Sequence, residues 1–255
     1  MIAASVSHPV VRPGWVGEPK WDGYRAQLAR RGDSVLLRSR HGTDMTQAFP
    51  EIRAAALAQL PEQTGLDGEL VVWDSGRLTF ERLQQRLARR GVAARAAAAW
   101  PAHYVAFDVL TLPAAGFPDL RTRPYSERRQ VLLEVLAGIG PPIEPVWSTT
   151  DWSEALVWFE ALEGTGVEGI IAKPLGSVYA SGKRVWSKVQ HADTVDAIVV
   201  GFTGTARHPK ALAVRLPGRA FTTAGDTYTP ADADVIVEVV AGTTRHAVVT
   251  VVRLR

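Results

Sequence analysis

The pattern of predicted secondary structure changes near residue 192, and this change limits the folds that the chain can adopt. Before that point strands and helices are mixed without a regular β-α alternation, which favours an α+β fold of antiparallel sheets over a doubly wound parallel sheet. After it, four short apolar segments are typical of strands, with no convincing helix between them. Such a run favours a small barrel, of the OB type among others, or a sandwich. We therefore predict two domains, residues 1–191 and 192–255.

Hydrophobic spacing predicts the elements of the first domain. The strands are expected at 15–30, 34–40, 64–73, 103–112, 167–173 and 185–190, and the helices at 50–60, 79–90, 126–137 and 152–162. The helix over 79–90 is expected to carry arginines on its outer face. The Ala-rich stretch 93–99 is interpreted as a loop or a helix end.

The composition excludes several classes of protein. The chain has no cysteine, so a disulfide framework, a thiolate nucleophile and a thiolate metal site are excluded. No apolar run approaches the length needed to cross a bilayer, and the first residues lack the basic and apolar regions of a secretory signal. We therefore expect a cytoplasmic protein with no membrane partner.

Lysine is scarce in this chain, and its scarcity is informative. The 255 residues include 24 Arg and 5 Lys, with a net charge of +3 that hints at a polyanionic partner. An amine can lose its proton and act as a nucleophile, which a guanidinium in a protein cannot do. A lysine that remains in an arginine-rich chain is therefore a candidate for chemistry, although chance placement on the surface is the alternative for any one of them.

The segment EPKWDGYR places a lysine, an aspartate and an arginine within six residues. If this segment is a strand, Lys20 and Asp22 point to the same face, and Gly23 allows a bend or a close approach of a ligand. A lysine near other cations can lose its proton and attack an electrophile. The alternative is an ion pair at the end of a strand.

Five further segments follow this one in order. Together the six are Lys20-Trp21-Asp22-Gly23-Tyr24-Arg25, Ser39-Arg40-His41-Gly42, Asp67-Gly68-Glu69, Phe107-Asp108, Glu168-Gly169-Ile170-Ile171-Ala172-Lys173 and Trp186-Ser187-Lys188. They resemble the motifs of the covalent nucleotidyltransferases, the superfamily of ATP-dependent DNA ligases, RNA ligases and mRNA capping enzymes. The phrases EPKWDGYR, LDGELVVWD, EGIIAK and TVDAIVVGFTGT resemble most closely the small bacterial ATP-dependent DNA ligases of end-joining and repair systems. Three of the five lysines lie in these motifs.

The resemblance implies a fold and a reaction. The fold is a nucleotidyltransferase (adenylation) domain of antiparallel sheets with flanking helices, followed by an OB-fold domain. Lys20 would attack ATP and carry AMP, which would pass to the 5′-phosphate of nicked duplex DNA before a 3′-hydroxyl seals the strand. Lys188 would neutralise charge on the α-phosphate, and Glu168 would bind Mg²⁺ or Mn²⁺.

The resemblance also implies residues that bind the nucleoside. Glu18 would accept a hydrogen bond from the adenine amino group, although a surface glutamate is the alternative. Glu69 would bind the ribose hydroxyls. Phe107 would stack on adenine, with plain core packing as the alternative.

Three cations are implied in phosphate binding. Arg25 and Arg40 would hold the nucleotide and later the nick phosphate through forked hydrogen bonds. Lys173 would be a further phosphate contact, with a structural ion pair as the alternative. Asp67, beside Glu69, is interpreted as a support for a turn.

The chain departs from the family pattern at two places. Gln190 stands where the family usually has a second lysine, two residues after Lys188. The Asp-Lys part of the family's last motif has no counterpart, and Arg253 or Arg255 is a candidate for its basic part. These departures leave open a ligase fold that binds nucleic acid without turnover. An RNA-strand ligase and a capping-type guanylyltransferase are further alternatives.

The same resemblance leads to three expectations about the setting of the protein. We expect a monomer that is associated with the nucleoid. Other DNA repair or end-joining proteins are its expected partners.

Overall fold

The computed structural model describes residues 1–6, 12–88, 91, 93–190, 194–205, 207–215, 229–240 and 250–254. Contacts divide the chain into two compact units, Met1–His191 and Ala192–Arg255. The predicted domain boundary falls within 191–193, which lies outside the described residues, as does Arg255. In the described part of the chain, no helix is both long enough and apolar enough to span a bilayer.

The first unit combines strands with helices. Its strands are β1 Ile2–Ser5, β2 Trp15–Trp21, β3 Tyr24–Arg31, β4 Ser34–Ser39, β5 Gly65–Asp74, β6 Arg77–Leu78, β7 Ala102–Thr111, β8 Ile143–Pro145, β9 Val167–Pro174 and β10 Arg184–Gln190. Its helices are α1 Pro50–Gln59, α2 Phe80–Ala88, α3 Ala93–Ala99, α4 Tyr125–Leu136 and α5 Trp152–Ala161. The Ala-rich stretch is therefore a helix of its own, as expected for the residue with the highest helix propensity.

The strands form two mixed sheets. One has the order β1-β10-β9-β2, and the other has the order β4-β3-β5-β7-β8 with β6 paired to β5. The prediction of antiparallel sheets is wrong at two edges, where β1 pairs with β10 and β7 with β8 in parallel. These edge strands have only four and three residues, too few to show an alternating pattern in the sequence.

The predicted strand over 15–30 is two strands that lie in different sheets. β2 ends at Trp21 and β3 begins at Tyr24, so Asp22 and Gly23 connect the two sheets. A Cβ at Gly23 would lie 2.1 Å from the carbonyl oxygen of Leu70, which only glycine avoids. Asp22 therefore lies outside both strands, and the prediction that it shares a strand face with Lys20 is wrong.

The main core lies around the larger sheet and includes Leu28, Phe49, Leu66, Tyr104 and Leu132. A fully buried ion pair crosses from α4 to β7. Its two guanidinium–carboxylate contacts, from Nε and Nη2 of Arg128 to Asp108, measure 2.7 and 3.0 Å. The charge of Asp108 is thus balanced by Arg128, which lies on a helix later in the sequence.

Arg82 and Arg86 of α2 do not form a solvated face of the helix. Arg82 pairs with Asp74 and lies 3.8 Å above the ring centroid of Trp100. Arg86 is buried, and its Nη2 lies 2.6 Å from a carboxylate oxygen of Glu51. The expectation of an Arg-rich outer face is therefore wrong for Arg86.

The described residues of the second unit are almost entirely β-strand. The strands are β11 Thr194–Thr205, β12 His208–Arg215, β13 Thr229–Val240 and β14 Thr250–Leu254, in the order β12-β11-β13-β14 with every pair antiparallel. Ala197, Val199 and Val237 form its small core. These strands were expected from the sequence, whereas closure into an OB-type barrel stays a prediction.

Candidate active site

A β-bulge in the smaller sheet controls the direction of Glu168. Lys20 on β2 lies opposite Gly169 on β9, but Trp21 lies opposite Val167, so Glu168 is an extra residue on β9. Gly169 has φ +146°, and a Cβ there would lie 2.1 Å from the carbonyl oxygen of Val189. A bulge re-aims a side chain, and here the Nζ of Lys20 donates a hydrogen bond to the Oε2 of Glu168.

The same carboxylate oxygen has a second donor. The Nε2 of Gln190 lies 3.0 Å from the Oε2 of Glu168. Gln190 is on β10 and lies opposite Gly169 of β9. One row across three strands therefore contains Lys20, Gly169 and Gln190. Lys188 begins the next row of this face, two residues before Gln190. One carboxylate thus receives a charged donor and a neutral donor from opposite sides.

Burial lowers the pKa of Lys20 below its usual 10.5, and the charge of Lys188 lowers it further. Glu69 and Asp22 oppose this shift because they favour the ammonium form. A lowered pKa increases the fraction of the free amine, which is the nucleophilic form of lysine.

Glu18 lies on β2, two residues before Lys20, and is only 2% exposed. Its Oε2 lies 2.6 Å from the Nζ of Lys173, and its Oε1 accepts a hydrogen bond from the hydroxyl of Tyr125. Lys173 is 1% exposed. The surface alternative for Glu18 is therefore wrong, and the ion-pair alternative for Lys173 describes what the structure shows.

Aromatic rings surround the ammonium of Lys173. Its Nζ lies 4.2 Å from the ring centroid of Trp186 and 4.8 Å from those of Phe107 and Tyr125. Phe107 and Trp186 meet edge to face at 5.7 Å between centroids. Phe107 is partly buried, so it lies at the border of the core rather than inside it.

Arg25 is held rigidly by Asp67. Its Nε and Nη2 donate to the two carboxylate oxygens of Asp67 at 3.1 and 2.6 Å, and the hydroxyl of Tyr179 donates to Asp67 at 2.7 Å. Asp67 is fully buried within β5, so its interpretation as a turn support is wrong. Its observed contacts orient an arginine of the first motif.

Glu69 follows on β5, opposite Arg25 of β3. Burial raises the pKa of Glu69 to about 8, although Lys20 and Arg25 lower it. Arg25, Arg40 and Glu69 line one cavity of about 1190 Å³. The Arg40 side chain is exposed at this cavity.

The structure therefore brings the predicted residues into linked groups. Lys20 is in contact with Glu168, and Glu18 is in contact with Lys173. Arg25, Arg40 and Glu69 line the cavity, and Glu69 favours the ammonium form of Lys20 when it is ionised.

Two residues were missed by sequence reasoning. Tyr125 and Tyr179 donate to Glu18 and Asp67, which lie 107 and 112 positions away in the chain. Hydroxyls this distant from their partners leave no local pattern, so the sequence held no signal for them.

The first unit has two mixed sheets, which are joined through the segment that carries Lys20. This is the architecture of a nucleotidyltransferase, the class that the motifs predict. Within that class the chain belongs to the ATP-dependent DNA ligase family, because the profile described as "ATP dependent DNA ligase domain" matches residues 1–190.

Curated relatives support this assignment. DNA ligase C2 of Mycolicibacterium smegmatis is 44% identical over 203 residues, which are 79% of this chain and 56% of that protein. DNA ligase C of Mycobacterium tuberculosis is 41% identical over 207 residues, with the same two coverages of 79% and 56%. The chain thus spans little more than half the length of these relatives.

Solved structures have the same fold. The ligase domain of M. tuberculosis LigD superposes with a TM-score of 0.63 at 25% identity, covering 98% of this chain and 93% of that one. A mycobacterial DNA ligase D complexed with ATP and MES gives a TM-score of 0.57 at 26% identity, covering 99% and 94%.

Proposed function

We propose that the protein is an ATP-dependent DNA ligase that seals nicks between a 5′-phosphate and a 3′-hydroxyl. The observation that carries this proposal is the environment of Lys20. Burial and the charge of Lys188 lower the pKa of this half-buried amine, although its contact with the Glu168 carboxylate favours the ammonium form. Such an amine is activated for attack on phosphorus.

The reaction proceeds in three steps. The nitrogen of Lys20 loses its proton and bonds to the α-phosphorus of ATP, while the bond from that phosphorus to the pyrophosphate oxygen breaks. The AMP then passes to the 5′-phosphate of a nick. The 3′-hydroxyl finally attacks that phosphate and releases AMP. Lys188, one row from Lys20 on the same sheet face, stabilises the charge that develops on the phosphoryl oxygens.

The buried groups bind the nucleoside. Glu18 accepts a hydrogen bond from the adenine amino group, and Phe107 stacks on the base. Lys173 contributes through Glu18, whose carboxylate it holds in position. Glu69 binds the ribose hydroxyls.

Arg25 and Arg40, which both line the cavity, bind phosphate. Arg25 is oriented in advance by its two bonds to Asp67, which reduces the entropy lost on binding. Arg40 is exposed at the same cavity and is available to the nick phosphate.

The residues at Glu168 fit a hard divalent cation. The Oε2 of Glu168 already binds the ammonium of Lys20, so the carboxylate attracts cations. Within the described residues, no group of three or more acidic, histidine or cysteine side chains could hold a metal alone. Mg²⁺ is commonly bound by one or two carboxylates together with substrate phosphates and water, and Mn²⁺ accepts similar ligands. Such a cation would withdraw charge from the phosphates.

The two units have separate roles in this proposal. Residues 1–191 form the adenylation domain, and residues 192–255 form an OB-fold domain that helps to grip duplex DNA. The antiparallel strands of the second unit support this assignment. The protein acts as a monomer on nucleoid DNA in the cytoplasm, and its partners are other DNA repair or end-joining proteins.

A ligase-like fold that binds without turnover is the second candidate. Gln190 favours it, because a neutral amide stands where the family usually has a cation. An RNA-strand ligase uses the same motifs and differs from a DNA ligase in the substrate that it seals.

Two measurements test these functions. The purified protein should gain the mass of one AMP when mixed with ATP and a divalent cation, and should lose it when pyrophosphate is added. A protein that binds ATP without this mass increase supports the binder. Nicked DNA and nicked RNA duplexes, compared at equal concentration, then distinguish the two ligases.

A further inference from the structure

We propose that Gln190 is a positioning residue that orients the Glu168 carboxylate for the divalent cation without competing for its charge. This inference rests on the proposed function, in which Glu168 binds that cation. It assigns a role to a position where the chain departs from its family.

The geometry separates the two donors to Glu168. Lys20 and Gln190 approach the same oxygen from strands on opposite sides of β9. When the amine of Lys20 bonds to phosphorus, it no longer holds the carboxylate. The hydrogen bond from Gln190 can persist through that step, so Glu168 keeps the direction that the bulge gives it.

Charge explains why an amide suits this position. A lysine at position 190 would place another cation beside Lys20 and Lys188, near the oxygen that binds the metal. The repulsion between a unit positive charge and a divalent cation roughly 5 Å away is large enough, even in a water-like dielectric, to weaken binding of the cation about tenfold. The amide of Gln190 donates a hydrogen bond without this repulsion.

The test measures cation binding directly. Mn²⁺ is titrated into the full chain with an ATP analogue whose α and β phosphorus atoms are joined by a methylene group, so that AMP transfer cannot occur. Free Mn²⁺ is read from its electron paramagnetic resonance signal. Gln190→Lys should bind Mn²⁺ about tenfold more weakly than the wild type. Gln190→Met, which loses only the hydrogen bond, should be weaker by about threefold, and Gln190→Glu should bind more tightly.

Gln130 provides a matched control. Its Nε2 also donates to a glutamate, Glu134, at 3.0 Å on the surface of α4. Gln130→Lys should leave Mn²⁺ affinity unchanged. Gln190 is exposed at the end of β10, so its variants should fold, and their thermal melting is compared with that of the wild type.

Two results would overturn the inference, and they differ in what else they affect. If Gln190→Lys binds Mn²⁺ no more weakly than Gln190→Met, charge at this position is irrelevant and the inference fails. The proposed metal role of Glu168 would still stand in that case if Glu168→Gln lost affinity for Mn²⁺. If Glu168→Gln itself binds Mn²⁺ normally, the metal assignment within the proposed function fails together with this inference.

Discussion

Gly169 lies directly opposite Lys20 in the β2–β9 ladder, and its φ of +146° produces the bulge that turns Glu168 towards the amine. We predict that Gly169→Ala lowers the rate of AMP attachment by about a hundredfold, because orientation errors near 1 Å have that effect. It should also destabilise the fold by about 1–3 kcal/mol, the usual cost of such a backbone in a residue with a Cβ.

Single-turnover labelling with ATP and a urea melt measure the two effects. Gly164→Ala is the control, since a Cβ there meets no atom within 4 Å. Normal labelling by Gly169→Ala would show that the bulge does not aim Glu168.

The second prediction concerns the nucleophile. Lys20→Arg keeps a cation beside Glu168 but cannot supply a free amine, so it should form no protein-AMP, as should Lys20→Ala. Intact-mass spectrometry after incubation with ATP measures this. Lys183→Arg, an exposed lysine in the same unit, should label normally. Full labelling of Lys20→Arg would remove Lys20 from its assigned role.

The third prediction concerns pH and Glu69. Its pKa is raised from the usual 4.5 to about 8 in the folded protein, so the fold binds this proton more tightly than the unfolded chain. The stabilisation is complete below the unfolded pKa and is lost as pH rises through the folded pKa.

Relative to Glu69→Gln, which does not titrate, the wild type should lose roughly 4 kcal/mol of unfolding free energy between roughly pH 5 and pH 9. Denaturant melts of both proteins across this range measure the difference. Parallel curves would mean that Glu69 keeps an ordinary pKa.

The fourth prediction concerns the buried pair between Arg128 and Asp108. Arg128→Met leaves a buried carboxylate without its partner, which should cost about 3–5 kcal/mol of unfolding free energy. Arg123→Met removes an exposed pair with Glu127 and should cost less than about 1 kcal/mol. Equal losses in the two urea melts would contradict the structural role of Arg128.

The fifth prediction concerns Tyr125, the hydroxyl donor to Glu18. Tyr125→Phe keeps the ring but leaves a buried carboxylate oxygen without this bond. We expect the KM for ATP to rise about tenfold, with a smaller change in kcat, and selectivity for ATP over GTP to fall. Tyr179→Phe removes a bond to Asp67 instead, so it should leave base selectivity unchanged. Unchanged selectivity in Tyr125→Phe would remove Glu18 from base recognition.

Local pattern in the sequence was enough for most elements and for the motif residues. Strand alternation and helical spacing depend on neighbouring residues, so the helices that became α1, α4 and α5 could be placed within a few positions. The scarcity of lysine made each of the five lysines a candidate for chemistry, and the motif resemblance then selected Lys20. The split between β2 and β3 was missed, since the strand pattern of residues 15–30 does not show which sheet each half joins.

Only the tertiary structure decided which side chains meet. Glu168 reaches Lys20 from 148 positions away, through a bulge that strand alternation alone would not place. The burial of Glu18 against Lys173 likewise depends on the pairing of β2 with β9. Sequence spacing determines which residues of one segment share a face, and that was sufficient to predict most of the longer elements. The choice of strand partners depends on packing between distant segments, and that choice created the contacts of the site.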